Sequence, residues 1–259
     1  MNRAEPDSFV VLFPVPWGTD NVGALRDCHE QLWNEKASWS VELTDEGPEG
    51  VHAVGRLEQS GGKEAGLVVE EPIEELVEVA GTSKEPYTAS EAAQLKAHEA
   101  IWRVTVAGGT EEGLENAVWV SQLMSTFVEA GAAGAFIPAV VQLHSPSFIK
   151  SQTMGIGHIQ PIVNLFVGAW DDDQWMMTRG LTAFGLPEVE TPVGSGLNAA
   201  YFRLMDVASG MINNRSPFPL GANLDIGPES FTIEEGPQGP EDEQVPVSGA
   251  YGVLTVRPA

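Results

Sequence analysis

The sequence predicts an α+β protein. Three observations carry this: short apolar runs of strand length, amphipathic stretches at helical spacing between them, and turn signals rich in Gly, Pro and Asp separating the two. From residue 100 onward the order of elements is strand, helix, strand, short helix, strand, strand, helix, strand, strand, and it predicts antiparallel sheets with helices on one face.

Residues 8–15 (Ser-Phe-Val-Val-Leu-Phe-Pro-Val) form a near-continuous apolar run and read as a buried central strand. Trp17-Gly18-Thr19-Asp20 is a turn, with Thr19 or Asp20 placed to cap a helix. On that helix Val22, Leu25, Cys28, His29 and Leu32 share one face. Residues 38–43 alternate apolar and polar, as a half-exposed strand does. Residues 51–57 and 66–69 read as a hairpin, and Pro72 suits the first turn of a short acidic helix. Thr88 stands three residues before Glu91, a capping-box spacing that opens a helix over 89–99.

The opening pattern then returns. A strand over 100–107 is followed by the Gly108-Gly109-Thr110 turn, a helix that is apolar nearly all round, and a second strand within 134–143. Residues 8–43 and 101–143 thus look like copies of one strand–helix–strand unit. The fold class read from this is α+β with two ferredoxin-like (split βαβ) units, 1–86 and 87–259, with a single larger mixed sheet as the alternative.

Beyond it, Ser145 and Pro146 cap and start a short helix. Residues 152–160 read as a loop and 161–169 as a strand. Asp171-Asp172-Asp173 is a turn and Trp175 begins another strand. Leu197, Ala200, Tyr201, Leu204, Ala208 and Met211 mark a helix face, with Arg203 and Asp206 off it. Asn213 to Pro217 stops that helix. Residues 230–234 and 249–256 are the last strand candidates, with an exposed acidic loop between them.

Charge narrows the function. With 37 acidic and 13 basic residues the chain carries a formal net charge of −24. Such a field repels phosphate backbones and anionic membranes, so neither nucleic acid nor membrane is an expected partner. A single cysteine excludes an internal disulfide framework. The start Met1-Asn2-Arg3-Ala4-Glu5 does not read as a signal peptide, and no apolar run approaches the length of a membrane span. The expected location is the cytoplasm.

The stretch Thr178-Arg179-Gly180-Leu181-Thr182-Ala183-Phe184-Gly185-Leu186-Pro187-Glu188-Val189-Glu190 gathers glycines, a proline, an arginine and two carboxylates in one turn region. With Glu115 to Gln142, His144-Ser145-Pro146, Trp170 and the helix from Leu197, it resembles an uncharacterised bacterial family, domain of unknown function 4261. The resemblance covers roughly the last 160 residues. It implies an α+β sheet domain and transfers no catalytic residue.

Candidate chemistry concentrates there. Arg179, Glu188 and Glu190, with Trp170 and Trp175 as walls, form the candidate ligand site for a peptide or small molecule. His144, His158 and Glu188 are the alternative, a metal site of a hydrolase. Other motifs fall short. Asp171-Asp172-Asp173 is followed by Gln174, Trp175 and two methionines, where a calcium loop needs oxygen ligands. Gly108-Gly109-Thr110 lacks the lysine of a phosphate loop and precedes two glutamates. Gly194-Ser195-Gly196 is not a nucleophile elbow. Cys28 and His29 are helix neighbours pointing about 100° apart. No cofactor is expected. The function read from the residues is a non-catalytic binding or protein-interaction module.

Overall fold

The computed structural model describes residues 8–18, 21–34, 37–43, 50–59, 62–109, 111–154, 158–194, 196–236 and 251–259, with 37–43 and 82 described by backbone only. The caps expected at Thr19 or Asp20 and most of the acidic loop before 251 lie outside the described residues. The fold is mixed α+β with two antiparallel-rich sheets, in two compact units. No helix among the described residues is long and apolar enough to cross a membrane.

The first unit takes residues 9–107 and 116–157. Its strands are β1 (Ser8–Val15), β2 (Ala37–Leu43), β3 (Val51–Gln59), β4 (Lys63–Glu70), β5 (Ala100–Ala107), β6 (Ala135–Ile137) and β7 (Gln142–His144), and the sheet order is β2-β3-β4-β5-β1-β6-β7. Its helices are α1 (Val22–Trp33), α2 (Leu76–Val79), α3 (Ala89–Lys96), α4 (Gly113–Glu129), whose first turn belongs to the second unit, and α5 (Pro146–Thr153). The pairing of β4 with β5 carries one sheet across residues 86 and 87.

The two apolar strands that head the repeated patterns, β1 and β5, lie side by side in this sheet. Two separate split βαβ sheets are therefore not what the strand orders show. The reason is burial: β1 is apolar on both faces, and such a strand is stable only in the middle of a covered sheet, while β5 buries Trp102, Val104 and Val106 on one face and Ile101 on the other. It also corrects the expectation of helices on one face. Leu12 and Ile101 pack with Leu76 of α2 and Leu95 of α3. Their chain neighbours Phe13 and Trp102 point the other way, onto Phe127 of α4, with ring centroids 4.1 Å and 5.8 Å away.

Local signals held where the bonding is local. Thr88 Oγ1 accepts from the Glu91 backbone N–H and Glu91 accepts from that of Thr88, closing the capping box. Ser145 caps α5, with Pro146 in its first turn.

A buried polar knot joins α1 to α4. The Thr126 hydroxyl donates to the Gln122 carbonyl at 2.9 Å, which spends its only hydrogen. Its oxygen then accepts from Trp33 Nε1 at 3.3 Å and from His29 Nδ1 at 3.1 Å, which assigns the Nδ1–H tautomer to His29. Burial lowers the His29 pKa below its ordinary 6.5. The folded state therefore binds fewer protons than the unfolded chain. The contribution is complete above pH 6.5 and is lost as pH falls from there through the folded pKa, by at most ~1.4 kcal/mol per pH unit. Urea midpoints across this range should show that slope in the native protein and its loss in His29→Gln.

The second unit has its described residues at Ser8, in 108–115 and in 158–259. It holds α6 (Ile159–Phe166), β8 (Gly168–Asp171), β9 (Trp175–Arg179), β10 (Glu188–Pro192), α7 (Leu197–Asn214), β11 (Asn223–Ile226), β12 (Glu229–Glu235) and β13 (Val253–Pro258). The sheet order is β11-β12-β13-β10-β9-β8, antiparallel except where β10 runs parallel to β13.

Two expectations fail here. Most of 161–169 is helix, not strand: α6 occupies Ile159–Phe166, and only Gly168 and Ala169 belong to β8. Its β-branched residues suit a strand, but Ile159, Ile162, Val163 and Phe166 fall at helical spacing, and Pro161 sits in the first turn, where a missing N–H costs nothing. Arg203, expected off the apolar face of α7, is only 5% exposed. Its guanidinium lies 4.2 Å from the Phe231 ring, and Nη1 donates to Thr191 Oγ1 at 2.8 Å.

Candidate functional site

The region between β9 and β10 is a backbone device before it is anything else. Asp172 Oδ1 accepts from the N–H groups of Gln174 and Trp175, at 3.1 and 2.7 Å, and starts β9. At the end of β9, Gly180 (φ 107°) turns the chain into a 3-10 turn, Leu181–Phe184, and Gly185 (φ 68°) releases it towards β10. Both positions need the left-handed region that glycine enters freely. The Gly109 N–H donates to the Ala183 carbonyl at 2.9 Å, so this part of the Gly108-Gly109-Thr110 motif braces the turn.

Glu188 fastens the device from inside. It is buried, and its Oε2 accepts from Thr178 Oγ1 at 2.7 Å. Its Oε1 accepts from the backbone N–H groups of Gly180 at 2.9 Å and Thr182 at 3.4 Å. Thr178 Oγ1 in turn accepts from Val189 N–H at 2.8 Å. Burial raises the Glu188 pKa and the hydrogen bonds act against it, with the net shift upward.

The strand register gathers the other candidates. Trp170 pairs with Met177, Met177 with Glu190, Glu190 with Thr255 and Thr255 with Glu234, one row across five strands. Paired residues share a face, and alternation puts Trp175 and Arg179 of β9 on the face of Met177. The Arg179 guanidinium lies 5.4 Å from the Trp170 ring, and Arg257 lies 5.7 Å from that of Trp175. Glu190 is fully buried and accepts from Thr255 Oγ1 at 2.6 Å. The five candidates are thus brought to one sheet and its adjoining turn, but both carboxylates are enclosed and bonded.

The histidines are placed differently. His144 is buried in the first unit, stacked on Phe148 with centroids 4.9 Å apart, and its carbonyl accepts from the Tyr87 hydroxyl. His158 is exposed in the second unit, at the start of α6. Among the described residues, no three His, Cys, Asp or Glu side chains are grouped as a metal site requires. Cys28 is half-buried, and burial with Glu129 and Asp27 raises its pKa, which disfavours the nucleophilic thiolate.

One feature went unread in the sequence. Beside the turn lies a cleft of about 590 Å³, whose walls include Gly185, Pro187, Pro217, Phe218, Leu220 and Tyr251. Leu220 and Tyr251 are 59% and 38% exposed. The Glu188 N–H donates to the Gly252 carbonyl, which ties β10 to this wall. Neither Glu188 nor Glu190 lines the cleft. The signal was present in Pro217-Phe218-Pro219-Leu220, an apolar segment between a helix end and a strand, of which only Pro217 has a reading, as the end of the helix stop.

Compared with protein-family models, curated proteins and solved structures, the chain matches none. An apolar cleft with glycine and proline in its frame can hold a side chain, and the enclosed acids are spent on the fold.

Proposed function

We propose that this protein is a binding module that recognises a partner protein through the cleft beside Gly185 and Pro187. The observation that carries the reading is the exposure of Leu220 and Tyr251 in that wall, while Glu188 and Glu190 turn inward. Large apolar side chains left facing water around a concavity are typical of recognition surfaces. The prolines restrict the wall's backbone, so less ordering entropy is lost when an apolar anchor enters. The net charge of −24 directs the module towards proteins with basic surroundings and away from nucleic acid and anionic lipid. The likeness to domain of unknown function 4261 at Gly180 and Gly185-Leu186-Pro187-Glu188 is, on this reading, a likeness of turn-forming residues.

The test is selection of peptides from a phage-displayed library on the purified protein. Leu220→Asp and Tyr251→Ser should each weaken the selected peptides by roughly tenfold or more, as loss of an anchor contact does. Circular dichroism should stay unchanged, because both side chains are exposed. The reading fails if selected peptides bind both variants as well as the native protein. It fails also if the protein turns over a hydrolase substrate panel and Glu188→Gln abolishes that turnover.

A further inference from the structure

We propose that the open edge of β11 is a second docking site, which takes an extended basic segment of a partner protein as an added strand. Among the described residues β11 is the terminal strand of its sheet and pairs with β12 on one side. In an edge strand alternate N–H and C=O groups point away from the sheet, ready for another strand. A cleft of about 470 Å³ runs along this strand and contains Leu224, Asp225 and Ile226, with Asp206 and Val207 of α7 and Phe218 as further walls.

The chemistry of the cleft selects the occupant. Asp206 and Asp225 are exposed, and the described residues lining the cleft include no Lys or Arg. Ser230 Oγ donates to Asp225 Oδ1 at 2.6 Å and orients that carboxylate. Leu224 and Ile226 alternate with Asp225 along β11, so apolar and acidic contacts fall on opposite faces of the strand, with Phe218 as a further apolar wall. A strand that alternates basic and apolar residues meets both demands, because its side chains alternate with period two. A second copy of the chain does not: it would set Asp225 and a net charge of −24 against the same charges. Phe218 also belongs to the cleft of the proposed function, so the two sites adjoin without either requiring the other.

The probe is a fluorescent peptide of about six residues, the usual strand length, alternating valine and lysine. Anisotropy should show it binding the native protein, while a valine–glutamate peptide and a backbone N-methylated valine–lysine peptide do not bind. Asp206→Asn with Asp225→Asn should weaken binding roughly tenfold, since two exposed charges are lost. Amide exchange within 223–226 should slow when peptide is added. Tyr251→Ser should leave the peptide bound, which separates this site from the first. The proposal is overturned if the N-methylated peptide binds equally, which reduces the contact to charge attraction. Absence of binding overturns it too. So does protection of 223–226 that rises with protein concentration alone, which assigns the edge to a second copy.

Discussion

Replacing Gly134 by valine should unfold the seven-stranded unit at room temperature or bring it close to unfolding. A Cβ at this position overlaps the Tyr87 hydroxyl and stands 2.6 Å from the His144 carbonyl oxygen, inside any real contact distance. Gly134 also holds φ 149°, which side-chain-bearing residues rarely adopt. The neighbours cannot yield cheaply. The Tyr87 hydroxyl donates to that same His144 carbonyl at 3.0 Å, and His144 pairs with Ala135 across β6 and β7. Overpacking, backbone strain and the lost hydrogen bond together cost about 3–6 kcal/mol. Domains commonly hold only 5–15 kcal/mol in reserve. Urea unfolding followed by tryptophan fluorescence measures this, since Trp17 and Trp102 both pack around Phe127 in this unit. Alanine at 134 gives a milder form and an internal check. Tyr87→Phe removes the nearest obstacle, so the double variant should be more stable than the two single losses add up to, by about 1 kcal/mol. Strict additivity would show that the contact does not limit the site.

Glu188→Ala should cost about 3–5 kcal/mol, whereas Glu188→Gln should cost little. Alanine leaves the Thr178 hydroxyl and the N–H groups of Gly180 and Thr182 without their buried acceptor. Glutamine keeps one oxygen for the two backbone donors. Its amide can donate to Thr178 Oγ1, which then turns its hydrogen elsewhere. The pH dependence separates charge from hydrogen bonding. Burial raises the folded pKa of Glu188 above the ordinary 4.5. A raised carboxyl pKa means that the folded state binds more protons. The stability linked to it is complete below pH 4.5 and is lost as pH rises through the folded value. Relative to the native protein, Glu188→Gln should therefore gain stability on going from acid towards neutral pH. Denaturant melts of both proteins across that range measure the difference, and parallel curves would contradict it.

The turn between β9 and β10 shows how far its residues could be read alone. Gly180, Gly185 and Pro187 announce a backbone that must change direction, and a short turn follows there. The same residues do not say where Glu188 points. As a carboxylate beside an arginine it suggests an ion pair or a ligand site. Its bonds to Thr178, Gly180 and Thr182 depend on the tight 3-10 turn between the strands, which brings backbone donors onto its oxygens. Arg203 misleads in the same manner. Helical periodicity places it off the stripe, yet Phe231 of β12 lies against its guanidinium and Thr191 of β10 accepts from it.

What this sequence determined by itself is the α+β class, the central character of β1, the caps at Thr88 and Ser145, and the turns at Asp172, Gly180 and Gly185. Each depends on groups a few residues apart, where one side chain and one or two backbone dihedrals decide the outcome. The tertiary structure alone decided that β1 and β5 share a sheet, that 159–166 is a helix, and that Gly185, Pro187, Leu220 and Tyr251 meet around one cleft. Those outcomes follow from which apolar faces find one another across long sequence separations, and a local pattern states that a face must be buried without naming its partner.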